Sequence, residues 1–210
     1  SRYATSFIPA IVRGATRASD PYLRESRPFG QGVFWVKDLT KKSFARALAP
    51  WTLEPRIDIW GNPIRVRMAD RPLTDFLYRM LTPISAFEVG QPHPVDLMIL
   101  RWNQEHPNDQ YWPVPPPRTF TLYGVDFYMP DSIYTEYLKL SGSIAAAELR
   151  AAFPTVPEKV TREHMEYIQQ VFRDARSIAR DFIIAKYEPE IYQYPRDPEL
   201  ARQAGFVTVE

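Results

Sequence analysis

The chain has no cysteine, which excludes disulfides, thiolate metal sites and cysteine nucleophiles. Histidine is nearly as scarce, with only His93, His106 and His164. The closest approach to a ligand set is Glu163, His164 and Glu166, and it falls at the start of an amphipathic helix, where acids are expected anyway. No G-x-S-x-G elbow, phosphate-binding loop or G-x-G-x-x-G fingerprint occurs. The carboxylate pairs Asp70/Asp75 and Glu54/Asp58 sit where capping and solvation account for them as well as acid–base work would. Catalytic, cofactor-binding and metal-ligating residues are therefore expected to be none. Long apolar runs are missing too. Nothing approaches the ~20 residues that span a bilayer, and 7–12 is too short, and too broken by Pro9, for a signal-peptide core.

Neither charge sign dominates. Lys and Arg number 26 against 25 Asp and Glu, so no global field draws the chain to nucleic acid or anionic lipid. Only 8 glycines are present, which argues against a flexible linker. Proline is abundant instead: 21 in 210 residues, about twice the usual share of roughly 5%. Hydrophobic residues at 45% and aromatics at 14% are too many for a disordered tail. Short folded elements joined by stiff, extended arms satisfy all of these constraints.

The periodicity predicts helices over 3–18, over 72–81 and over 94–105, where Pro94 suits the first helical position and His93 the cap before it. Thr40 reads as the N-cap of a short helix stopped by Pro50. Residues 54–63 look extended, with a turn at Gly61-Asn62-Pro63. A polyproline-like arm is expected over 113–117 and a hairpin over 119–129 around Tyr123-Gly124, with Phe120, Leu122, Val125 and Phe127 inward. Pro130 opens a helix that continues through Gly142 toward Phe153. The strongest pattern is 161–187, capped by Thr161 and closed by Pro189. Burying Met165, Ile168, Phe172, Ile178 and Phe182 there would contribute about 2 kcal/mol each before entropy. One helix cannot bury such a face alone, so the rest of the chain or a partner must cover it. Residues 188–198 should be extended, followed by a helical turn over 199–204.

The fold class expected is mainly α: several short amphipathic helices, one longer helix, a small β-hairpin and proline-rich arms. Three regions result: a basic helical arm and linker at 1–57, a helical core segment at 58–187 and an extended tail at 188–210. Candidate partner-binding anchors are Trp35, Trp51, Trp60, Trp112, Tyr192 and Tyr194, since large aromatic side chains supply contact area at low entropic cost. Trp102 lies on the apolar stripe of its helix and reads better as core than as an anchor, and Trp60 reads equally well as core. Arg13, Arg17, Arg65, Arg67 and Arg71 are the nucleic-acid candidates, although neither group is a dense run.

The strings DIWGNPI, PLTDFLYRMLTPI, HPVDLMILRWNQEHP and FTLYGVDFYMPDSIYTEYLKLSGSIAAAELRAAF, with the opening IVRGATRASDPYLRES, resemble a segment near the end of very large phage-encoded polypeptides, the large polyvalent proteins. The resemblance covers most of 11–153, and 161–187 fits it loosely. It implies an internal virion protein ejected into the host with the genome. Its partners would be portal, tail or other ejection proteins in several copies, with genomic DNA nearby and no membrane-spanning segment. It carries over no catalytic residue. The opening Ser1 fits either removal of a methionine or cutting from a longer polypeptide. A nucleic-acid-binding module and a small enzyme are the rival expectations.

Overall fold

The computed structural model describes residues 22–25, 32–64 and 93–206; the side chains of 32–35, 46–48 and 50 lie outside that description. The helices predicted over 3–18 and 72–81 also fall outside it. Among the described residues the order is α1 (Gly32–Leu48), a 3-10 turn (Pro50–Thr52), α2 (Pro94–Glu105), β1 (Thr119–Leu122), β2 (Val125–Tyr128), α3 (Asp131–Ala152), α4 (Arg162–Ile191) and α5 (Pro198–Gln203). The protein is mainly helical with one two-stranded antiparallel sheet, as its sequence implies.

The antiparallel pair α3 and α4 forms the spine. Glu148 accepts a bond from Tyr167 near the connecting loop, and Glu136 accepts from Lys186 and Tyr187 at the far end. That second carboxylate holds the Lys186 ammonium pKa up at about 12. On α3 the buried residues Ile133, Tyr137, Ser141, Ala145 and Leu149 recur every fourth position. At 3.6 residues per turn, a stripe with period four drifts roughly 40° per step. It therefore winds around the helix, and α3 serves two cores. Ile133 and Tyr137 join Phe120, Val125, Phe127, Ala179, Ile183 and Ile191 beneath the hairpin. Ala145 and Leu149 join Val95, Met98, Ile99, Trp102, Met165, Ile168 and Phe172 beneath α2.

Between the cores the turn at 58–62 seats on α3. Asp58 Oδ1 accepts the Trp60 and Asn62 backbone N–H groups at 2.9 and 2.8 Å, closing the turn, and Gly61 takes φ +82°. Its backbone rests directly on Gly142. A Cβ on Gly142 would overlap the Gly61 nitrogen and lie 2.5 Å from the Trp60 carbonyl carbon, and one on Gly61 would lie 2.5 Å from the Lys139 carbonyl oxygen. The glycine inside α3 thus serves a backbone-on-backbone contact that no other residue permits.

The hairpin follows its predicted register: Phe120 faces Phe127, Leu122 faces Val125, and Tyr123-Gly124 turns with both residues at positive φ. Beside it lies a buried ionic cluster. The Lys42 ammonium, 2% exposed, meets Asp38 at 2.9 Å and Asp131 at 2.6 Å, and Asp131 also receives Arg118. Asp131 occupies the first turn of α3, where the helix dipole favours a negative charge. The cluster ties α1, the base of the hairpin and the start of α3 together.

Several expectations are corrected. The helix placed at Thr40 begins eight residues earlier, at Gly32, and Thr40 is internal, its hydroxyl donating to the Val36 carbonyl at 2.9 Å. That back-bond uses up the hydroxyl that would otherwise cap. Pro189 does not close α4, which runs on to Ile191. An interior proline costs about 3 kcal/mol, and the complete burial of Ile191 in the hairpin core offsets much of that. Residues 188–198 are accordingly not extended as expected. After α4 the chain turns so that Pro195 bridges Phe127, and Asp197 then caps α5 through Glu199 and Leu200. Ile178 and Phe182 were expected inside, yet stand 56% and 51% exposed. Ala175, Ala179 and Ile183 take the inner positions of that half of α4. The arm at 113–117 is strapped down: Val114 and Pro116 carbonyls accept from Arg176 and from the Tyr134 hydroxyl.

The glycine seat makes a ranking. Gly142→Ala should lower unfolding free energy by roughly 3 kcal/mol or more, because backbone cannot step aside as a side chain can. Gly205→Ala, at φ +85° but with nothing within 4 Å of the added carbon, should cost only about 1–2 kcal/mol of backbone strain. Urea denaturation of the two variants, compared at equal m-value, tests the order.

Candidate functional site

The three histidines all sit at helix ends. His93 is the N-cap of α2 and makes a reciprocal capping box: its Nδ1 accepts from Val95 N–H at 3.3 Å, and Asp96 Oδ2 accepts from His93 N–H at 2.9 Å. His106 ends the same helix, with its ring stacked on Trp102 at 3.8 Å. His164 closes the capping box of α4 with Thr161. The reading of His93 as a cap holds. Among the described residues no group of three or more His, Asp or Glu side chains is placed to hold a metal ion.

One of these caps belongs to a larger constellation. The Trp60 ring stacks on His93 with centroids 4.1 Å apart and planes 20° off parallel, and it also meets Phe172 at 5.5 Å. The Trp60 indole N–H donates to Asp96 Oδ1 at 3.1 Å. Both Asp96 oxygens are therefore engaged, one by the cap and one by the indole. His93 is 6% exposed, and its Nε2 faces the Ala146 carbonyl of α3 without a hydrogen bond of normal geometry. Burial pushes the His93 pKa below its ordinary 6.5, opposed by the Ala146 carbonyl and by Asp96 and assisted by Arg150. Burial pushes the Asp96 carboxyl up from 3.8, with the His93 and Trp60 bonds opposing it. Nothing in the local sequence marks this joint, since Trp60 and Asp96 are 36 residues apart.

The expected aromatic anchors divide by position. Trp51 and Trp112 stand in solvent, 60% and 57% exposed. Trp60 is half-buried in the joint just described. Trp102 is 5% exposed, its indole N–H donating to the Asp109 carbonyl at 2.8 Å, as its place on the stripe implies. Tyr192 is half-buried, ringed by Phe127 and Phe206 at 5.3 and 4.7 Å and bonded to Glu188. Burial and that neighbouring carboxylate drive its phenol pKa upward. Tyr194 is half-buried, its carbonyl accepting from Tyr128 N–H at 2.8 Å. Trp35 lies on α1, its side chain outside the described residues. Arg13, Arg17, Arg65, Arg67 and Arg71 all lie outside them as well.

Sequence reasoning missed two exposed apolar features, because a helical period does not say which side will be covered. Ile178 and Phe182 project one turn apart from α4. Leu97 and Leu100, each 44% exposed, project from α2 opposite its buried face of Val95, Met98, Ile99 and Trp102. A small cleft lies where Asp58, Val114, Ser141 and Arg176 meet, with room for about one water molecule. No helix among the described residues is long and apolar enough to cross a membrane.

No protein-family model, no curated protein and no solved structure matches this chain.

The indoles should separate cleanly by substitution. Trp102→Ala is expected to cost about 3–5 kcal/mol, the usual range for deleting a buried indole. Trp51→Ala and Trp112→Ala should each stay within about 0.5 kcal/mol of the unaltered protein. Guanidinium unfolding followed by far-ultraviolet circular dichroism checks both halves, and a large loss at Trp51 or Trp112 would show that the ring is structural.

Proposed function

We propose that this chain is a structural interaction segment of a phage internal virion protein, docked against portal or tail-channel components and delivered with the genome. The observation that carries the docking reading is the exposure of Trp51 and Trp112. A flat aromatic ring in water is among the strongest anchors when a partner covers it. The exposed pair Ile178 and Phe182 on α4 adds apolar area of the same kind. The virion setting rests on the resemblance of the strings DIWGNPI, HPVDLMILRWNQEHP and FTLYGVDFYMPDSIYTEYLKL to large phage polypeptides.

Two measurements test the parts separately. Mass spectrometry of purified particles assembled from the encoding genome should find peptides of this chain, and their absence from particles would end the virion assignment. In binding assays with the recombinant portal and tail-channel proteins of that genome, the double variant W51A/W112A should bind at least roughly thirtyfold more weakly. That is about 2 kcal/mol, the threshold of an interface hot spot. Unchanged binding by the folded double variant would remove the two indoles from the interface.

A further inference from the structure

We infer that the Trp60–His93–Asp96 joint is an acid-operated clasp: one proton taken up by His93 parts the N-terminus of α2 from the 58–62 turn, while Gly61 stays seated on α3. The Ala146 carbonyl faces Nε2 and favours a charged ring, yet the cap leaves the added proton no acceptor. The imidazole Nδ1 is already an acceptor for Val95 N–H at 3.3 Å, so a proton added there would face a donor. The other nitrogen is buried against the Ala146 carbonyl of α3, and the ring face is covered by Trp60 at 4.1 Å. A proton can therefore be accommodated only if the ring leaves the cap, and the stack leaves with it. The Trp60 bond to Asp96 and the Trp60–His93 stack are the links that tie the turn to the start of α2.

The groups facing the ring set the direction. The Ala146 carbonyl on α3 and Asp96 on α2 favour the imidazolium, Arg150 on α3 opposes it, and the burial of the ring opposes it more strongly than any one of them. In the closed form His93 thus binds its proton below 6.5, and in the open form near that ordinary value. Closure is fully favoured above 6.5 and is lost as the pH falls from there toward the depressed value. Asp96 acts with the opposite sign: its carboxyl takes a proton more readily when closed, over a window that starts from 3.8. Asp58 faces Asp96 from the turn and adds to that upward push.

This inference does not depend on the identity of any docking partner.

The test is an NMR pH titration of the full chain, following the His93 ring, the Trp60 indole N–H and the Val95 amide. His93 should titrate below 6.5, and on the same midpoint the Trp60 indole and Val95 amide should lose protection from exchange. Core amides such as Phe127 and Ile183 should keep theirs. His93→Asn retains a side-chain oxygen able to accept from Val95 but cannot take up the proton, and it should abolish the transition. The idea fails if His93 titrates at or above 6.5 with the indole still protected, or if His93→Asn opens at the same pH as the unaltered chain. Should that variant not fold, the midpoints in the unaltered chain alone decide.

Discussion

The contact between Gly61 and Gly142 is the constraint on which the middle of the molecule depends. Two backbones meet there with no room for a carbon atom between them. Because the turn can approach α3 that closely, Trp60 is carried into contact with both His93 and Phe172. A wider separation would lift the indole off both rings and move its N–H away from Asp96. The α2 core would then lose the element that closes it on the side of the turn.

The winding of the buried stripe on α3 explains why that helix needs small residues at its centre. A stripe that stays on one side of a helix serves one core. This one leaves the hairpin core after Tyr137 and enters the α2 core at Ala145, and between them lie Ser141 and Gly142. At the crossover neither core supplies a large partner, so the turn fills the space with backbone. The same geometry accounts for α4, whose first half is covered by α2 and whose second half keeps only Ala175, Ala179 and Ile183 inside. Ile178 and Phe182 are left in water on the uncovered side.

Much of this was readable from local sequence, and the misses have physical causes. Helix α2, with Pro94 in the first turn, Asp96 at the positive end and His93 as cap, matches its reading to the residue, because every signal lies within a few positions. The hairpin is equally local. Thr40 misled because a threonine hydroxyl serves a helix interior as readily as a cap. Pro189 misled because its cost is local while the burial of Ile191 that offsets it comes from strands sixty residues earlier. The candidate site divides the same way. That His93 caps a helix was legible, but that Trp60 stacks on it was not, since nothing in either neighbourhood records the other.

The return of the C-terminal segment to the sheet has one more implication. A two-stranded ribbon offers two open margins to any passing extended chain. Here Tyr128 N–H donates to the Tyr194 carbonyl and Arg196 N–H to the Asp126 carbonyl, so β2 is sealed. Among the described residues nothing pairs along the outer side of β1. The chain thus closes the β2 margin of the ribbon with its own backbone, more than sixty residues after the strand, rather than leaving it to a partner.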